Sequence, residues 1–115
     1  MLRRGLLRTG LLTLALAGAL ALALTGASLA SAPTVAIVGH SPSTYAFSPQ
    51  VLTIDQGTKV RWSWDSNAPH NVTFRKLGEH SKTKAKGSYS LTFAKQGTFH
   101  FHCTIHDFKG KVIVK

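Results

Sequence analysis

From Pro33 to Lys115 the chain is a series of short apolar runs, each cut by Gly, Pro, Asn, Asp or Ser within roughly 8–12 positions. No run sustains a helical period, so the spacing predicts an all-β fold, a sandwich of short strands. Val35-Ala36-Ile37-Val38 is the first run. Tyr45-Ala46-Phe47-Ser48-Pro49 leads into Val51-Leu52-Thr53-Ile54, and Asp55-Gln56-Gly57 turns the chain. Lys59 to Trp64 alternates, which puts Val60, Trp62 and Trp64 on the inward face. Val72 with Phe74, then Tyr89 with Leu91 and Phe93, then Val112 with Val114 extend that face. Asp65 to Pro69 and the polar, Lys-rich stretch Arg75 to Ser88 read as loops.

Residues 1–32 stand outside this pattern. Arg3, Arg4 and Arg8 precede an uncharged apolar stretch, Leu11 to Leu24, and then the small residues Gly26 to Ala32. That is the layout of a secretory signal peptide, with cleavage expected after Ala30 or Ala32. The expected domain is therefore 33–115, exported to the periplasm, the medium or the cell surface, with no membrane span after cleavage. Three of the fourteen Lys and Arg lie in the leader, leaving eleven against four acids, a net of +7. Export argues against nucleic acid as the partner of this charge. Most basic residues are dispersed; the run Lys82, Lys84, Lys86 reads as a solvated loop, with a docking surface for an acidic protein as the sharper alternative.

A domain this small leans on a staple, and the chain has one cysteine, Cys103, which rules out an internal disulfide. Phe99, Phe101 and Cys103 share one strand face, while His100 and His102 share the other. A soft thiolate near imidazoles selects copper or zinc. Cys103-x-x-His106 supplies two donors, and Pro69-His70-Asn71 supplies a third from another segment. A zinc ribbon or finger needs four ligands in paired spacings, which are missing. Two His and one Cys are instead the equatorial shell of a blue-copper centre.

Phe47-Ser48-Pro49, Leu52-Thr53-Ile54-x-x-Gly57-Thr58-x-Val60-x-Trp62, Asn67-Ala68-Pro69-His70-Asn71-Val72, Tyr89 to Phe93 and Gly97 to His106 occur in an order that resembles the cupredoxins, especially amicyanin and the plastocyanins. The resemblance covers nearly the whole of 33–115. It implies a Greek-key β-sandwich of about eight strands with one type 1 copper ion, held by His70, Cys103 and His106. It also implies that Asn71 ties its loop to the cysteine loop near Thr104.

In those relatives the ligand loop ends in a methionine on the copper axis. Here it reads His106-Asp107-Phe108-Lys109-Gly110, and the only methionine is Met1. Phe108 is expected to cap the axial side, because a carboxylate such as Asp107 is costly to bury; Asp107 is then solvated or paired with Lys109. The alternative is that water or the Asp107 carboxylate enters there, which favours Cu(II). The resulting expectation is a monomeric, non-enzymatic carrier of single electrons. Its redox partner docks transiently at the His106 edge, where Pro69, Ile105 and Phe108 make an apolar rim. The alternative is a copper carrier or store, to which the surplus histidines lend weight. His40, His80, His100 and His102 read as surface residues, and His100 with His102 as a second, weaker metal pair.

Overall fold

The computed structural model describes residues 31–115, so the leader assigned to 1–32 lies outside the described residues but for its last two positions. Nine strands form two sheets. The strands are β1 (Thr34–Gly39), β2 (Ala46–Ser48), β3 (Val51–Ile54), β4 (Thr58–Ser66), β5 (Thr73–Phe74), β6 (Glu79–His80), β7 (Ser88–Phe93), β8 (Gly97–His102) and β9 (Lys109–Val114). The first sheet has the order β2-β1-β4-β7, the second β3-β9-β8-β5-β6. Two pairings are parallel, β1 with β4 and β3 with β9, and the rest are antiparallel. The all-β sandwich is as the spacing predicts, and the ninth strand comes from the two-residue pieces β5 and β6.

Period-two alternation sets the core. Val60, Trp62 and Trp64 of β4 are buried, as are Val35 and Ile37 of β1 and Phe93 of β7. Phe74, Phe101, Val112 and Val114 face them from the second sheet. Trp62 is the hub: its ring meets Phe74 at 5.6 Å and Phe101 at 5.4 Å, both edge-to-face, with Tyr89 and Phe93 slightly farther. Edge-to-face contacts satisfy the ring quadrupole as well as burying area.

Two stretches read as loops are partly strand. Asp65 and Ser66 continue β4 because β1 runs parallel beside them and pairs Val38 with Asp65 and Gly39 with Ser66. Within Arg75 to Ser88, β6 pairs with β5, and Lys84 forms an isolated bridge to His70. Backbone hydrogen-bonding groups near a buried segment must find partners, and neither correction is visible in side-chain pattern alone.

Gly110 shows how tightly the second sheet closes on this end. A Cβ there would lie 2.6 Å from the Phe101 ring and 2.8 Å from the Gln50 carbonyl oxygen. The backbone oxygen cannot swing away, since Gln50 also accepts the Lys111 amide. Gly110→Ala is expected to cost about 1–3 kcal/mol by overpacking, read as a fall in Tm of the order of 4–8 °C per kcal/mol for a domain this size.

Candidate metal centre

Two loops at one end of the sandwich supply the donors. The first, 67–72, carries His70, whose backbone is fixed on three sides. Its N–H donates to the Lys84 carbonyl at 2.9 Å, and its carbonyl accepts the Lys84 amide at 3.0 Å and the Trp64 indole at 3.1 Å. Lys84 is thereby committed: its Nζ donates to the Ser88 carbonyl at 2.6 Å and stands 4.9 Å over the Trp64 ring. The reading of Lys82 to Lys86 as plain solvated loop fails at its central residue, which buttresses His70.

The second loop runs from Cys103 to Phe108 and is closed by Cys103 itself. The Cys103 amide donates to the Phe108 carbonyl at 3.0 Å, and the Cys103 carbonyl accepts the Asp107 amide at 2.9 Å. Closing so short a loop puts Asp107 at φ 57°, a left-handed conformation that Asp tolerates better than most residues. The Asp107 side chain is exposed.

Asn71 knits the loops together. Its Nδ2 donates to Thr104 Oγ1 at 2.7 Å and to Thr83 Oγ1 at 3.0 Å, while its Oδ1 accepts from the Thr104 amide at 3.1 Å and from the Thr73 hydroxyl at 2.9 Å. Both donors and both acceptor positions of the amide are used.

The donors converge. His70 and Cys103 are fully buried and His106 is half-buried. His70 Nδ1 lies 3.2 Å from His106 Nδ1 and 3.8 Å from Cys103 Sγ, and all three ligand atoms fall within 4.8 Å of one another. Bonds from an ion to imidazole and thiolate run about 2.0 and 2.3 Å, so donors sharing one ion stand roughly 3–4 Å apart, as the two distances from His70 do. The far nitrogen of His70, Nε2, is buried without a partner. With the proton there, the Nδ1 lone pair is left facing the cluster. Burial, and secondarily His106 alongside, holds His70 below its ordinary pKa of 6.5. The unfolded chain therefore takes up a proton that the fold resists, and stability rises with pH across that range. Denaturation of the metal-free protein at a series of pH values should show stability falling below pH 6.5.

Phe108 is half-buried against the cluster, its ring 5.1 Å from His70 and edge-on to it, and 4.6 Å from Phe47. Pro69 and Thr104 are exposed, and Ile105 is 50% exposed beside His106. Tyr45 is the site residue that sequence reading passed over. Its ring lies 4.6 Å from His70 and 4.7 Å from His106, and its hydroxyl donates to Asn67 Oδ1 at 3.1 Å. It shares strand parity with Phe47, so the alternation carried the signal. Among the other histidines, His40, His80 and His100 are exposed as expected, but His102 is 8% exposed and buried. Neighbours on both sides, Thr73 of β5 and Lys109 of β9, cover it, because β8 is an interior strand of its sheet. Among the described residues one group of three or more potential ligands forms, and it excludes His100 and His102.

One thiol and two imidazole nitrogens at a loop end of a β-sandwich suit a single soft metal ion, and this trigonal set fits type 1 copper. A model of the cupredoxin-like domain matches residues 12–114. The chain is 39% identical over 100 residues to plastocyanin of Prochlorothrix hollandica, covering 77% of this chain and 76% of that one. It is 41% identical over 71 residues to amicyanin of Paracoccus denitrificans, covering 56% of this chain and 54%, about half, of that protein's length. Among solved structures, the Cu(I) form of an amicyanin variant superposes with a TM-score of 0.65 at 32% identity, covering 78% of this chain and 88% of the other. A purple cupredoxin from Nitrosopumilus maritimus shares the fold, with a TM-score of 0.64 at 22% identity, over 72% of this chain and 99% of the other. The chain belongs to the cupredoxin-like family.

Proposed function

We propose that the protein is an exported carrier of single electrons whose copper is held by His70, Cys103 and His106, with Phe108 over the axial side where amicyanin and plastocyanin resemblance implies a methionine. The observation that carries this reading is the convergence of two Nδ1 atoms and one Sγ in a cage fixed from behind by Asn71, Trp64 and Lys84. Copper, when bound, supplies reversible one-electron chemistry.

The residues divide the remaining work. Cys103, fully buried, keeps its thiolate away from oxidants and rival thiols. The hydrogen-bonded backbones of His70 and Cys103 hold the donors in one arrangement, which limits reorganisation between oxidation states. His106 is the donor that reaches the surface, and the exposed Pro69 and Ile105 with half-buried Phe108 give it an apolar surround suited to brief docking. The exposure of the Asp107 carboxylate supports the reading in which the Phe108 ring would shield the remaining side of a bound ion.

Fast electron self-exchange with copper retained against a chelator is the expected result. Slow exchange with ready loss of copper would replace the shuttle with a copper-delivery role. The axial assignment has its own test. Phe108→Ala opens the apolar cap to water, which favours Cu(II), so the reduction potential should drop by about 60 mV or more, a tenfold change in the one-electron equilibrium. An unchanged potential would mean that Phe108 does not shield the axial side.

A further inference from the structure

The outer face of the five-stranded sheet carries a feature that the metal centre does not use. A groove of about 440 Å³ runs beside β8, bordered by Arg75, Lys76, His100, His102 and Lys109, with Asp107 the one carboxylate along it. A second hollow of about 290 Å³ shares His100, Lys109 and Gly110 with it and reaches Lys111 and Val51. Strand register explains the clustering: His102 pairs with Lys109 and His100 with Lys111, and antiparallel partners project to the same face. Arg75, Lys76, His100 and Lys109 are exposed. His102 is buried in the groove, and its Nε2 has no hydrogen-bond partner.

We propose that this groove docks a carboxylate-rich segment of an acidic partner protein, with Arg75, Lys76 and Lys109 pairing its charges and His100 and His102 lining its path. Charge decides the occupant: the groove offers cationic and imidazole groups against a single carboxylate, on a chain whose formal net charge is +10 with its leader. Taken together, the two neighbouring hollows span from the turn after β5 to β3, which suits an extended segment rather than one small anion. The lysine run at 82–86 is the poorer surface, since Lys84 is turned to Ser88 and Trp64. The groove adjoins the metal loop through His102, next to Cys103, and Asp107, next to His106. The partner's role as a redox protein rests on the electron-carrier reading; the groove's charge preference does not.

The test is calorimetric titration of the copper-loaded protein with a glutamate-rich peptide at low and high ionic strength. Arg75→Glu with Lys76→Glu should weaken binding about tenfold, two exposed charge reversals at a little under 1 kcal/mol each. Lys82→Glu with Lys86→Glu carries the same charge change away from the groove and should alter binding by no more than about twofold. Backbone amide shifts should map to β8, β9 and residues 75 and 76. The visible copper spectrum reports that each variant is folded. Equal losses in the two double variants, or no binding by the parent protein, would overturn the proposal. So would capture by anionic phospholipid vesicles through Arg75 and Lys76 without peptide binding. A parent with a blue spectrum and no peptide binding sinks the groove alone; a parent without that spectrum sinks the electron carrier and leaves the groove to be judged by the peptide.

Discussion

Asn71→Ala will release copper about ten- to a hundredfold more readily, the range seen when groups that orient metal ligands are removed. The Asn71 side chain hydrogen-bonds to threonines and to none of the ligand donors, so the effect has to pass through position. Four hydrogen bonds go with the amide: two to Thr104, one to Thr83 and one to Thr73. The Thr104 pair matters most, because it ties the His70 loop to the residue after Cys103. Without it the strand pairing of Thr73 with His102 and the ring contact of His70 with Phe108 still join the two segments, but the ion has to order the residues around the donors. Stability of the metal-free protein should fall by about 1–2 kcal/mol as well, since groups near the surface recover some bonds to water. Competition with a chromophoric chelator measures the first effect and denaturant unfolding the second. Asn71→Asp keeps the oxygen that accepts from the Thr104 amide but loses both donated bonds, so it should fall between alanine and the parent. An alanine variant that binds copper as tightly as the parent would show that each loop is fixed by its own bonds.

Trp62→Ala carries the largest expected cost in stability, about 3–5 kcal/mol. Trp62 is wholly buried and contacts Phe74, Tyr89, Phe93 and Phe101, so it joins the two sheets across the core. A domain of this size has little stability beyond such a sum. The metal-free variant should therefore be substantially unfolded at room temperature, seen as lost near-ultraviolet circular dichroism. Copper binds the folded state, and excess metal should restore structure, by about 2.7 kcal/mol when free copper is a hundred times the dissociation constant. Trp62→Phe keeps most of the ring area and should cost clearly less. A metal-free alanine variant as stable as the parent would mean that the core closes without its hub.

The features legible in the sequence were those that local pattern determines. Alternation through Val60, Trp62 and Trp64 marked the core face of β4, and Phe101 marked that of β8, with Cys103 continuing it just past the strand. His70, Cys103 and His106 could be named because their chemistry is scarce in the chain, one thiol and few imidazoles outside strands. What escaped depended on contacts distant in sequence. The bridge from Lys84 to His70, the indole bond from Trp64 to the His70 carbonyl and the edge-on and tilted ring contacts of Tyr45 with the two histidines all join separate segments. Parity placed His102 on the outer face correctly, but burial there depends on which strands flank β8, and strand order is not written in alternation. The same limit hid the groove, whose basic residues come from β8, β9 and the turn after β5.

The most direct measurement is the visible and EPR spectrum of the protein with one equivalent of Cu(II), recorded beside Cys103→Ser. An intense blue band with narrow copper hyperfine splitting, absent from the serine variant, is the result expected of a thiolate and two imidazoles holding copper under a Phe108 cap. A colourless sample with ordinary tetragonal copper, the same in both proteins, would contradict it.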